Sequence, residues 1–128
     1  MQLFWICVGG AVGTGARFLL SMWMLERFGP GFPYGTLTVN VVGSFLLGLV
    51  MYLGLEAGLL SPTLRLALAV GVMGGFTTFS SFTFETMRLA QDDLLPLALL
   101  YVGLSVIACI AACLLGWGLA HWLAAPAL

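Results

Sequence analysis

Charge is what this chain has least of. Asp, Glu, Lys and Arg make up 7% of its 128 residues against 62% hydrophobic, and the mean hydropathy is +1.14. A soluble domain, whose surface needs about a quarter of its residues charged, is excluded. The formal net charge of −1 comes without any basic run, which excludes nucleic acid as a partner. Cysteine is sparse as well: Cys7, Cys109 and Cys113 are odd in number and sit inside apolar stretches, so they read as small apolar fillers with no disulfide. Cys109 and Cys113 share a helix face, yet no His, Asp or Glu lies near enough in sequence to complete a metal set. The lone His121 stands beside Trp122, in the position of an interfacial belt residue, and nothing near it forms a nucleophile and base pair. No enzyme is expected. The first apolar run has no preceding Lys or Arg and no following cleavage site, so it reads as a span and not a signal peptide. No fixed-period repeat is present, and the glycines lack the strand-loop-helix setting of a phosphate loop.

What the chain has is long apolar runs. They predict an all-α integral membrane protein, one transmembrane domain over residues 1–128 with spans at about 3–25, 34–56, 62–89 and 94–122. Glu26 to Pro33, rich in Gly and Pro, and Asp92-Asp93 are the turns. With four spans, one face of the membrane holds both termini and Arg65, the other Arg27 and Arg88, and so small a bias leaves insertion free in both directions. A dual-topology antiparallel homodimer follows as the expectation. Four helices are too few to enclose a pore comfortably, so a pathway is expected between subunits, in keeping with small-residue faces on spans one, three and four.

The organising stretch is Gly74-Gly75-Phe76-Thr77-Thr78-Phe79-Ser80-Ser81-Phe82, inside the third apolar run. Paired glycines and paired threonines predict a break near Gly74–Thr78 between two half-helices. Backbone groups freed there persist in a bilayer only against protein, ions or water, so a break lines a site. A packing kink would account for the glycines but not for four hydroxyls and three phenyl rings. Helical spacing puts Phe79 and Phe82 on one face, with Phe76 packing in the break. In span one, Gly9, Gly13 and Arg17 share a face, which turns Arg17 inward; it snorkels or pairs structurally, or it meets a ligand. In span two, Thr36, Asn40 and Gly43 or Ser44 share a polar seam, where Asn40 serves either an interhelical bond or a passing ligand. Glu85 and Arg88, three apart, fit either a pathway mouth or a simple ion pair. In span four, one stripe is Ala108, Ala112, Gly116 and Ala120 and the other Tyr101, Ser105, Cys109 and Cys113.

These motifs, together with Gly9-Gly10-Ala11-Val12-Gly13-Thr14-Gly15-Ala16-Arg17 and Gly35-Thr36-Leu37-Thr38-Val39-Asn40, resemble the Fluc (CrcB-like) fluoride channels over essentially the whole chain. The resemblance implies a dual-topology homodimer in a bacterial inner membrane. Two antiparallel pores would export fluoride passively and confer fluoride resistance. By the same resemblance, membrane lipid would surround it and a structural Na+ would sit at the dimer centre. It further implies that Phe79 and Phe82 are pore phenylalanines, Asn40 the pore amide, Ser80 and Ser81 a polar track, and Tyr101 and Ser105 the fourth-span lining. Gly74 and Thr77 would give carbonyls to sodium, and Arg17 would stand in a vestibule. Beside that resemblance, Ser, Thr and Asn donors and phenyl edges suit a small anion, and freed carbonyls suit a hard cation. The alternatives are a small multidrug-type proton-coupled exporter, which resembles a design with an acid inside span one where this chain has Arg17, and a structural membrane subunit.

Overall fold

The computed structural model describes residues 1–125. All its regular elements are helical: α1 (Gln2–Phe28), α2 (Tyr34–Met51), α3 (Pro62–Leu66), α4 (Met73–Phe76), α5 (Phe79–Gln91) and α6 (Leu95–Ala124). Two π-helical segments complete them, Tyr52–Glu56 after α2 and Ala67–Val72 between α3 and α4. Four helical runs are long and apolar enough to cross a membrane: Gln2–Phe28, Tyr34–Glu56, Pro62–Gln91 and Leu95–Ala124. At 1.5 Å per residue the shortest, 23 residues, spans about 35 Å, more than the roughly 30 Å of hydrocarbon.

The ends of the helices follow local chemistry. Gly29, at φ +74°, stops α1 in a conformation that disfavours other residues, and its N–H returns 2.9 Å to the Leu25 carbonyl. Ser61 caps α3 by accepting from the Leu64 N–H at 3.2 Å, with Pro62 at the first position.

Glycine decides the packing. A Cβ on Gly13 would collide with the Val72 carbonyl, and one on Gly75 would meet the Gly10 carbonyl at 2.5 Å, so α1 lies directly against the first half of the third span. On the opposite side, Gly48 of α2 abuts the Cys113 carbonyl and Gly116 of α6 abuts the Phe45 carbonyl. The small-residue faces of spans one, three and four are therefore occupied within the subunit. Their expected use between subunits is corrected: close backbone approach is what such faces permit, and the neighbouring helix of the same chain takes it first. Large apolar side chains such as Phe18, Leu19, Ile107 and Leu114 point outward, as lipid requires.

The third span breaks later and more tightly than Gly74–Thr78. Gly74 and Gly75 remain helical in α4, and only Thr77 (φ −84°, ψ 158°) and Thr78 (φ −152°, ψ 114°) are extended. Gly75 is small because α1 crosses there, and the chain opens where hydroxyl and amide side chains replace the helix bonds.

Candidate functional site

Thr78 is the pivot of the break. Its N–H donates to Asn40 Oδ1 at 2.7 Å and its carbonyl accepts from Asn40 Nδ2 at 3.0 Å, so one amide side chain of α2 satisfies both backbone groups. The two readings of Asn40 thus resolve first to structure, although Nδ2 retains a second proton beside the cavity described below. The Thr78 hydroxyl caps α5 by accepting from the Ser81 N–H at 3.2 Å. It donates to Ser81 Oγ at 3.1 Å and lies 3.3 Å from Ser80 Oγ. Thr77 turns back to the Met73 carbonyl at 2.8 Å, with its methyl against Gly43. Two helix donors are thereby diverted. The Thr78 N–H that would serve the Gly74 carbonyl goes to Asn40, and the Ser81 N–H that would serve the Thr77 carbonyl goes to Thr78 Oγ1.

A cavity of about 370 Å³ opens beside this pivot, between α2, the break, α5 and α6. Asn40, Ser44, Thr78, Phe79, Phe82 and Ser105 line it, with no charged side chain among its walls. The Phe79 and Phe82 rings sit 5.4 Å apart, and Phe79 is 77% exposed, leaving its ring free on the subunit surface. Phe76 is buried and packs at Gly43, the packing role expected of it, although it ends α4 and does not lie in the break. Ser105 Oγ is buried on the cavity wall and has no hydrogen-bond partner among the described residues. A hydroxyl in that state holds an unused donor.

One turn along α2 and α5, three helices are tied by one carboxylate. Glu85 Oε1 accepts from Thr36 Oγ1 at 2.7 Å, and Oε2 accepts from the Tyr101 hydroxyl at 2.8 Å. The Tyr101 ring is fully buried, with Phe82 at 5.2 Å on one side and Phe32 at 5.4 Å on another. Of the two readings of Glu85, the ion pair with Arg88 is set aside: its oxygens are held by hydroxyls, and no such pair forms among the described residues. A second cavity, also about 370 Å³, lies beyond this link, with Thr36, Glu85, Arg88 and Ser21 in its wall.

Of the residues expected to form a site, Asn40, Phe79, Phe82 and Ser105 meet at the first cavity. Ser80 and Ser81 join through Thr78, and Tyr101 stands behind Phe82. Thr77 lines the cavity, whereas Gly74 faces open space on the outer side of α4. Arg17 is half-buried on α1 and lines neither cavity. The sequence put Thr78 in the break and Ser44 on the polar seam of span two without giving either a site role, and left Glu85 undecided. The spacing of Glu85 three residues after Phe82, on the same helical face, was the available signal.

A family model described as CrcB-like protein, Camphor Resistance (CrcB), matches residues 4–117. The chain belongs to the CrcB family. Among its CrcB relatives, the "Fluoride-specific ion channel FluC" of Anaeromyxobacter dehalogenans is 50% identical over 123 residues, 96% of this chain and 98% of the relative. The protein of the same name from Sorangium cellulosum is 52% identical over 122 residues, 95% and 96% of the two chains. That of Geobacter metallireducens is 49% identical over 111 residues, 87% and 90%. The match runs through all four spans and through the break, so the cavity and its walls lie inside the shared region.

Proposed function

We propose that this chain is a fluoride channel of the bacterial inner membrane, passing the ion out of the cytoplasm by electrodiffusion. The observation that carries the reading is the meeting of Asn40, Phe79, Phe82 and Ser105 around one uncharged cavity at a helix break. An amide N–H, an unpartnered hydroxyl and phenyl edges offer a partly dehydrated anion positive poles without the deep well that a fixed cation would make. Shallow binding suits fast passage. Relatives 50% and 52% identical over nearly the whole chain, named for fluoride, supply the identity of the ion.

The working unit is an antiparallel homodimer with two pores. The exposed Phe79 ring supports this, since a second copy laid against that face would convert an open groove into a walled path. Sodium fits the break. The Gly74 and Thr77 carbonyls have lost their helical donors, and carbonyl oxygens are the ligands a hard monovalent cation takes. Two such oxygens from each subunit would hold it, and the ion would neutralise carbonyl dipoles where the subunits meet. Arg17, half-buried without an acidic partner among the described residues, would raise the anion concentration near an entrance.

Expression in bacteria stripped of their own fluoride exporter tests the function. Growth in millimolar-range fluoride should return with the chain and fail with an empty vector. Cells that remain equally sensitive while the protein accumulates in the membrane would overturn the reading.

A further inference from the structure

A run of ring contacts leads from the α1–α2 connection to the first cavity: Tyr34 to Phe32 at 4.9 Å, Phe32 to Tyr101 at 5.4 Å, Tyr101 to Phe82 at 5.2 Å and Phe82 to Phe79 at 5.4 Å. Phe32 is the member that no helix carries. Its place is set by a tight turn. The Tyr34 N–H donates to the Phe32 carbonyl at 2.8 Å, and Pro33 between them, at φ −79° and ψ 62°, has the dihedrals of an inverse γ-turn, which its ring favours. Gly35 just beyond lies so close to α1 that a Cβ there would come 3.0 Å from the Ser21 Cα, so the start of α2 is tied down as well. The half-buried Phe32 side chain is thereby a fixed wedge in the wall of the second cavity. Tyr101 is where the wedge acts. Its backbone is carried by α6 and its hydroxyl is held by Glu85 at 2.8 Å, so both ends of the side chain are fixed. Those two ties leave open the rotation of the ring about its own axis, a torsion with broad minima. The Phe32 ring meets Tyr101 edge to face, at 80°, and the Phe82 ring lies against it at 56°.

We propose that Phe32 is a positioning residue of the permeation path: acting through Tyr101, its ring sets the orientation in which Phe82 meets the anion. The proposal rests on the fluoride-path reading. Phe32 does not line the cavity that Asn40 and Phe82 share, so it touches no ion there itself. Orientation matters at Phe82 because a phenyl ring attracts an anion at its edge and repels it at its face. With Phe32 in place, one plane of the Tyr101 ring is selected, and Phe82 packs against that plane. Without it, space opens behind Tyr101, the ring turns about its tethered axis, and Phe82 follows. The electropositive edge then leaves the path for part of the time. A role confined to packing predicts something else: fewer folded channels, each conducting as before.

The test uses the full chain in planar bilayers, where the unitary fluoride current reports each folded channel however many molecules fail to fold. Phe32→Leu keeps most of the volume and removes the ring. It should lower the unitary current about three- to tenfold, the rate equivalent of one lost aromatic pair. Phe32→Tyr, which puts a ring back in the same place, should recover the current. Phe28→Leu removes an exposed ring that touches Tyr34 and lines neither cavity, and it should conduct like the wild type. A wild-type unitary current in Phe32→Leu, with only its denaturant midpoint lowered, overturns the proposal. So does an equal loss in Phe28→Leu, or a Phe32→Tyr channel as impaired as Phe32→Leu. Should Phe32→Leu yield no folded protein, Phe32→Met makes the same deletion with a side chain that adapts to the site, and failure of both to fold would mark a packing residue and overturn the proposal. Absence of current from the wild-type chain would refute the fluoride-path reading itself.

Discussion

Replacing Asn40 separates its two duties. Asn40→Ala deletes the hydrogen bonds of 2.7 and 3.0 Å to Thr78, leaving that residue's N–H and carbonyl without partners at the break. Each bond contributes about 1 kcal/mol net, and each stranded buried group costs about 1–3 kcal/mol, so the variant should lose about 2–6 kcal/mol. Water in the adjoining cavity reaches the stranded groups and holds the loss toward the lower end. Asn40→Asp is the sharper probe. It keeps an acceptor for the Thr78 N–H but turns a second acceptor oxygen toward the Thr78 carbonyl, so it too should destabilise, and it places a carboxylate on the wall of the cavity. A fluoride ion about 6 Å away is then repelled by about 3 kcal/mol at an effective dielectric near 20, on the order of a hundredfold in rate. Unfolding in detergent by added denaturant reads the first effect, and fluoride efflux from liposomes reads the second. Asn40→Ala with unchanged stability would refute the clamp, and Asn40→Asp conducting like the wild type would refute an anion path past this residue.

Other expectations concern the same elements. Phe82→Ile should abolish flux while the protein stays folded, because an aliphatic group fills the volume but lacks the electropositive ring edge; Phe76→Ile should conduct and lose about 1–3 kcal/mol in the same unfolding assay. If the two phenotypes are reversed, the pore has been drawn on the wrong face of the broken third span. Glu85→Ala strands the Thr36 and Tyr101 hydroxyls and should destabilise by about 2–4 kcal/mol, with Tyr101→Phe losing less; an unperturbed denaturant midpoint in both would contradict the three-helix link. Exchange of sodium for a large organic cation should lower flux or dimer stability, because an ion bound only by the assembled state stabilises it. Equal values after thorough depletion would remove the ion from the account. Reporters fused to the C-terminus should appear on both sides of the membrane in comparable amounts, and a single orientation would refute dual insertion.

The four spans were legible because hydropathy is a local property, and each apolar run is long enough to declare itself. The break was legible as chemistry but not as a position. Gly74-Gly75 suggested where the helix would fail, whereas the structure keeps both helical and opens at Thr77 and Thr78, since the groups that replace the helix bonds come from Thr78 itself and from Asn40, 38 residues away. The spacing of Asn40 revealed a polar face without naming what that face would hold. Glu85 shows the same limit: Arg88 was its neighbour in sequence, but its partners Thr36 and Tyr101 are separated from it by 49 and 16 residues. Small-residue stripes announced close approach and left the approaching helix unnamed, which is how faces filled within the subunit came to suggest a subunit boundary. The π-helical turns at Tyr52–Glu56 and Ala67–Val72 carry no Pro, and each holds a single Gly, Gly54 and Gly71, of a kind found throughout the chain. The first is accompanied by tertiary contacts, with the Tyr52 ring packed 5.2 Å from that of Trp117.

Efflux of fluoride and of chloride from the same liposomes, containing this protein and no other, tests the central claim most directly. Rapid, passive release of fluoride with chloride retained is the predicted result; release of neither ion, or of both at similar rates, would contradict a fluoride path through the cavity at Asn40, Phe82 and Ser105.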